Sequence, residues 1–342
     1  MDLATTQFNN NFVERVQDPE GQTALSAAGS QFIKTELMES AFSRAVIPQQ
    51  PITVSDCQRN VHDNSLYLLR DIEPDAAALG VDNFGETEGQ YVKGARYLIP
   101  IVNFVTKRFT ITVEDLRAYQ YRITKRIEEK SAPALEKLED KLFLRYVFAA
   151  LSAQSALITS AKAIKGYKTD GSLSLDAHDF VNLKNTLAAG INGSDPKRKE
   201  VSVMLMCQEA YETAVYLPSA GDDFGTERVI NGVKSDILYG NRIIKTIKSD
   251  VLPVGHILAF TSPDFLGHSF SLGDPQFEIR SQFGVIEWQT KESIGMGIGN
   301  VLSIALLALS GAKAPGTSTS LEISTNGTVD AAILNYYKGF KI

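Results

Sequence analysis

Residues 70 to 96 read RDIEPDAAALGVDNFGETEGQYVKGAR, and they constrain the fold of this chain more than any other stretch. Four glycines and six acidic side chains (Asp71, Glu73, Asp75, Asp82, Glu86 and Glu88) stand among few large apolar residues. A structureless loop of this length does not sit inside a compact domain. Strand-like segments flank it, NSLYLL before and YLIPIVNFVTKRFTITV after, both rich in β-branched and aromatic residues. The stretch is therefore expected to form a long hairpin reaching away from the body. Such an arm cannot bury itself and calls for a neighbour.

The same stretch does not bind calcium on this reading. Asp71, Glu73 and Asp75 alternate as in a calcium loop, but Pro74 lies inside the run. Ala76 stands where the turn glycine belongs, and Asp82 stands where a bidentate glutamate belongs. A solvated or partner-facing acidic arm fits better.

Residues 1 to 29 are rich in Asn, Gln, Ser, Thr and Gly and read as an extended arm. Ser30 is expected to cap a short helix with Phe32, Ile33, Leu37, Ala41 and Phe42 on one side, ended by Pro48 and Pro51. Thr112 or Glu114 opens a helical region. Pro133 predicts a break near Ser131, followed by a second helix through EKLEDKLFLRYVFAALSA, on the order of 35 Å long. Beyond residue 161 the pattern is mixed. LSLDAHDFVNLKNTLAA and QEAYETAVYL predict helices, while EVSVMLMC, RIIKTI, HILAFTS and FEIRSQFGVIEWQT predict strands. Turns are expected at Asn231-Gly232 and at Tyr239-Gly240-Asn241, and the last residues form a possible hairpin ending in YYKGF.

Motifs of chemistry are absent from the sequence. His62, His178, His256 and His268 lie in no metal-ligand spacing, and Cys57 and Cys207 are far apart. Both cysteines are expected to be reduced and packed, and the polar start MDLATTQFNNNF lacks a signal stretch. The run EWQTKESIGMGIGNVLSIALLAL, Glu287 to Leu309, invites a dinucleotide reading through Gly295, Gly297 and Gly299. That reading fails on spacing, because Asn300 and Leu302 occupy the places of a third fingerprint glycine. The apolar run from Val301 is too short to span a bilayer. Ile294, Met296 and Ile298 alternating with glycine predict a strand with one bulky and one bare face, and Ile294 to Leu309 is read as one strand beside the long helix. A net charge of −6 leaves no broad phosphate-gripping surface. Arg122, Lys125 and Arg126 form a local basic face on a helix, and Lys197-Arg198-Lys199 marks a loop tip.

The order of these parts resembles the major capsid protein of tailed double-stranded DNA bacteriophages. The resemblance rests on SQFIKTELMESAFSRAVIP, the Glu139-Asp140-Lys141 helix, VMLMCQEAYETAVYL, and the pattern from Trp288 through ESIGMGIGN to Ala305. It covers most of residues 30 to 310. It implies an α+β fold of that capsid type: an N-terminal arm and short helix (1–50), an extended β-hairpin loop (51–110), a peripheral domain with a long spine helix (111–160 and 262–311), and an axial α/β domain (161–261). A tail (312–342) lies beyond the resemblance and is expected to dock through Tyr336, Tyr337 and Phe340.

The resemblance further implies a structural protein without catalytic activity, cofactor or metal. Such a protein self-assembles into hexamers and pentamers of an icosahedral head around double-stranded DNA, which it contacts loosely. An encapsulin-type compartment shell is the alternative. The implied partners are copies of itself, a separate scaffolding protein, a portal and possible decoration proteins, with no membrane. The implied location is the virion, assembled in the host cytoplasm. Charge complementarity between the six acidic residues of the loop and a neighbour's Arg122, Lys125 and Arg126 is expected to set register between copies.

Overall fold

The structure is a computed structural model. It describes residues 3–60, 65–72, 95–118, 123–157, 177–190, 200–215, 237–238, 241–253, 255–308 and 335–337.

The N-terminal segment is helical, not an extended arm. Helix α1 spans Leu3–Gln17 and α2 spans Pro19–Ser40. Asp18 caps α2 by accepting from the Gly21 N–H at 3.2 Å, with Pro19 in the first turn. Ser30 is thus an interior residue of α2 and not a cap. The polar composition has a tertiary reason. Helix α2 lies along strand β11 (Gln276–Gln282) and satisfies its edge. Ser30 Oγ accepts from the Phe277 N–H at 2.8 Å, and Ser26 Oγ accepts from the Ile279 N–H at 3.2 Å. Gln22 Nε2 donates to the Ile279 carbonyl. Side chains four apart on a helix meet residues two apart on a strand. Gly29 allows the approach, because a Cβ there would lie 2.3 Å from Phe277 Cδ1. On α1, Phe12, Val13 and Val16 are buried, and Phe12 stacks on Trp288.

After the short helix α3 (Phe42–Val46) the chain enters a sheet. Its strands are β1 (Gln49–Ile52), β2 (Gln58–Arg59), β3 (Leu66–Ile72), β4 (Ala95–Val105), β5 (Phe109–Thr112), β10 (Gly267–Leu272), β11 and β12 (Val285–Ile298). The main order is β1-β10-β12-β4-β3-β2, with β11 and β5 also paired to β12. Pro51 is tolerated because β1 is an edge strand, running parallel to β10. A 3₁₀ turn, Val54–Asp56, links β1 to β2. Strands β3 and β4 pair antiparallel from Tyr67↔Pro100 to Ile72↔Ala95, which is the base of a hairpin. Residues 73–94, and with them Glu73, Asp75, Asp82, Glu86 and Glu88, lie outside the described residues.

Helix α4 (Val113–Ala118) starts at Thr112, whose hydroxyl accepts from the Asp115 N–H. Helix α5 then runs unbroken from Ile123 to Leu157. The predicted break at Ser131 is absent, and Pro133 sits inside the helix. A mid-helix proline costs roughly 3 kcal/mol. Here it is offset by an apolar face buried along its length at Ile127, Ala132, Leu135, Leu142, Phe143 and Val147. At ~1.5 Å per residue the 35 residues measure about 52 Å, longer than the sequence predicts because the break was counted.

A second sheet has the order β13-β9-β6-β8-β7, with β6 (Val203–Cys207), β7 (Ile237–Leu238), β8 (Asn241–Thr246), β9 (His256–Phe260) and β13 (Ile304–Ala308). Helices α6 (Ala177–Gly190) and α7 (Gln208–Val215) accompany it, and Phe180, Leu183, Leu187 and Tyr211 pack against Met204, Met206 and Ile257. The reading of Ile294 to Leu309 as one strand needs correction. Strand β12 ends at Ile298, a 3₁₀ turn spans Val301–Ser303, and β13 joins the other sheet beside β9. The bare face of β12 is as the alternation predicts. Cβ atoms at Gly295 and Gly297 would lie 2.7 and 2.8 Å from Ile101 and Ile99 of β4. Ile294 and Met296 are buried on the opposite face.

The tail is anchored where it is described. Tyr337 is fully buried, stacked 3.6 Å from Phe148 of α5, and shares a hydrogen bond of 2.9 Å with His256 Nδ1 of β9. Tyr336 donates to the Asp250 carbonyl at 3.1 Å. The expected turn at Asn231-Gly232, the tail hairpin and Phe340 lie outside the described residues.

Candidate functional site

The apolar stripe of α5 is interrupted on its buried side by carboxylates. Glu139 is four residues after Leu135 and three before Leu142, so helical geometry forces it onto the core face beside Asp140. Strand β12 does the same by period two, placing Glu292 between Thr290 and Ile294 on its buried face. Both glutamates are met by Arg44 of α3. Its Nε donates to Glu139 Oε1 and Oε2 at 3.1 and 2.9 Å, and its Nη2 reaches Glu292 Oε1 at 2.5 Å. Glu139 also accepts from Ser43 Oγ and Gln49 Nε2, each at 3.0 Å. Asp140 accepts from the Ser43 N–H at 3.1 Å. Lys248, just past β8, pairs with Asp140 and Glu136 and lies 5.5 Å from the Phe42 ring. One cluster therefore joins α3, β1, α5, β12 and the end of β8.

The cluster holds four buried carboxylates (Glu136, Glu139, Asp140 and Glu292) against two cations, Arg44 and Lys248. Glu292 Oε2 is buried without a hydrogen-bond partner. Such an excess of negative charge favours proton uptake. Burial, reinforced by Glu292, pushes Glu139 up to about 7 against the pull of Arg44. Burial and then Glu139 raise Asp140 well above the usual carboxylate range, and burial raises Glu292. The folded chain thus keeps a proton that the unfolded chain releases between about pH 4.5 and 7. Stability from this group is present below that window and lost as pH rises through it. Urea unfolding at about pH 5 and about pH 8 should show the wild type losing more stability between the two than Glu139→Gln. A wild type that gains relative to the variant overturns this account.

A second feature faces outward. Phe109 and Ile111 of β5, Ile123 and Ile127 of α5, and Trp288 of β12 form the floor of a groove of about 490 Å³, with Arg126 and Lys130 on its rim. Trp288 Nε1, buried beside it, has no hydrogen-bond partner. The sequence-predicted contact residues distribute as follows. Lys125 and Arg126 lie on the first turns of α5, Lys125 paired with Glu129 at 3.8 Å, while Arg122 lies outside the described residues. Asp71 is engaged within its own hairpin, 2.6 Å from Arg96 Nε. The structure thus brings Lys125 and Arg126 together and places Asp71 in a separate pair.

Sequence reasoning missed the roles of Arg44, Glu139, Asp140, Glu292 and Lys248. The available signals were charges at stripe positions of α5 and at an inward position of β12. Among the described residues, no group of three or more His, Cys, Asp and Glu is arranged to hold a metal ion. No described helix is long and apolar enough to cross a membrane.

The chain matches no protein-family model and no curated protein sequence. Its structure is similar to chains of solved capsids. One from the mature capsid of bacteriophage PhiM1 aligns with a TM-score of 0.52 over 80% of this chain and 88% of that one, at 10% identity. One from the capsid of cyanophage P-SCSP1u gives 0.51 over 78% and 86%, at 12% identity. One from the capsid of an empty GTA particle gives 0.50 over 79% and 90%, at 12% identity. The likeness is one of fold: the α+β architecture described above is the architecture of these capsid chains.

Proposed function

We propose that this chain is the building block of an icosahedral phage head, a structural rather than enzymatic protein that assembles through copies of itself into hexamers and pentamers around double-stranded DNA. The observation that carries the reading is the shared fold with capsid chains over about four-fifths of the sequence. Surface features support it. Leu69 and Leu98 pair across β3 and β4 and remain exposed, and Val105 and Phe109 are exposed further along. A hairpin with an apolar outer face is suited to burial against a neighbour. The net charge of −6 suits loose contact with packaged DNA.

On this reading α5, β11 and β12 belong to a peripheral domain (111–160 and 262–311), and the strands β6 to β9 belong to an axial domain (161–261) meeting its copies, whose sheet takes in β13 from the peripheral stretch. Scaffolding, portal and decoration proteins are further partners. The particle is the virion, assembled in the host cytoplasm. Expression alone and with a scaffolding protein, followed by negative-stain microscopy and nucleic-acid analysis of particles, tests the reading. DNA-filled closed shells are expected. Soluble monomers under both conditions overturn it, and shells loaded only with protein cargo place the chain in a compartment shell instead.

The acidic segment Asp71, Glu73, Asp75, Asp82, Glu86 and Glu88 is proposed to lie near Arg122, Lys125 and Arg126 of an adjacent copy. Exposed charge pairs contribute little each, about 0–1 kcal/mol, so their effect falls on register and salt sensitivity. Arg122→Glu with Arg126→Glu should lower particle yield most at low salt, and Asp82→Lys with Glu86→Lys should restore it. Unchanged yield at every salt concentration removes the contact.

A further inference from the structure

Strands β11 and β12 are joined by two residues, Phe283 and Gly284, since Gln282 pairs with Val285. Both have positive φ, 50° and 74°, the signature of a type I′ turn. Asn, Asp or Gly ordinarily fills the first place of such a turn, because a side chain there crowds the following carbonyl. This chain places a phenylalanine there, and its side chain is fully exposed at 103%. The residue therefore works against local folding and against solvation together, and no described residue of its own chain covers it. The turn is held in place, because the Val113 N–H donates to the Gly284 carbonyl at 2.9 Å. An aromatic ring on a fixed two-residue tip is a preorganised knob.

We propose that Phe283 inserts into the groove between β5 and α5 of a second copy of this chain. The groove has an apolar floor, Phe109, Ile111, Ile123 and Ile127, that accepts a ring. Arg126 and Lys130 on its rim can lie over the ring face. Knob and socket also lie close together along β12. Val285 pairs with Thr112 and Trp288 with Phe109, so the groove begins roughly 10 Å along β12 from the tip.

The inference rests on the shell reading. Its test is Phe283→Gly, which relieves the backbone strain while removing the knob. Unassembled Phe283→Gly subunit should melt roughly 2 °C higher than wild type, yet yield on the order of tenfold fewer particles. Phe283→Asn should behave alike, and Ile123→Trp, which fills the groove from its helix side, should also lower yield. Benzoylphenylalanine at position 283, irradiated in assembled particles, should crosslink to peptides containing 109–111 or 123–130 of another copy. Full particle yield from Phe283→Gly overturns the proposal, as do crosslinks landing only elsewhere, including where the groove holds the acidic segment 82–86. A wild-type chain that forms no particles under any condition overturns the shell reading and this inference with it, whereas particles formed equally by both chains overturn the inference alone.

Discussion

Arg44→Met should destabilise the chain by about 3–5 kcal/mol, the loss typical of stranding a buried charge. Arg44 is the cation that separates Glu139 from Glu292, contacting both. Without it two buried carboxylates face each other in a low-dielectric setting, and both must take up protons or force the site open. Their pKa values, already raised by burial, then rise further, so the penalty is larger at neutral pH than at pH 5. Urea unfolding at both pH values checks sign and size together. Adding Glu139→Gln and Glu292→Gln to Arg44→Met should recover most of the loss, because the cost comes from the uncompensated charge and not from the missing side chain. Arg44→Lys should recover little, since an ammonium cannot fork between two carboxylates. A loss below about 1 kcal/mol for Arg44→Met at neutral pH would show that the cluster is not held by this cation.

Tyr337→Ala should cost a similar amount, about 3–5 kcal/mol, because it empties a site in the main core. The ring lies on Phe148 and contacts Tyr336, and its hydroxyl meets His256. Tyr337→Phe keeps the stacking and removes the hydroxyl, so it should cost only about 1 kcal/mol. The ratio of the two separates packing from hydrogen bonding. Truncation before residue 335 should reproduce the alanine loss. If truncation leaves unfolding unchanged, the tail's packing adds nothing to the stability of the subunit.

Local patterns that depend on one segment alone were readable. The alternation around Gly295 and Gly297 led to a strand with a bare face, and the side chains of Ile101 and Ile99 from the adjacent strand β4 lie over that face. The apolar stripe from Leu135 to Ala149 led to a long helix. Patterns whose meaning depends on a partner segment were misread. Gln22 and Ser26 looked like part of an extended arm, and Ser30 like a helix cap, because their partners lie some 250 residues away on β11. Pro133 looked like a break because local propensity favours one, whereas the buried face on both sides of it holds the helix together. Arg44 and Glu292 are 248 residues apart, so neither one's neighbours in sequence betray the pairing.

Read alone, the sequence determined which segments are apolar on one face and which are bare. These follow from side-chain periodicity and backbone freedom, which act over a few residues. Only the tertiary structure decided that the N-terminal segment is helical, that the run after β12 crosses to the second sheet, and that buried carboxylates tie α3, α5 and β12 into one joint. Those outcomes depend on which distant groups share low-dielectric space, where a hydrogen bond or a counter-charge is worth far more than any local propensity.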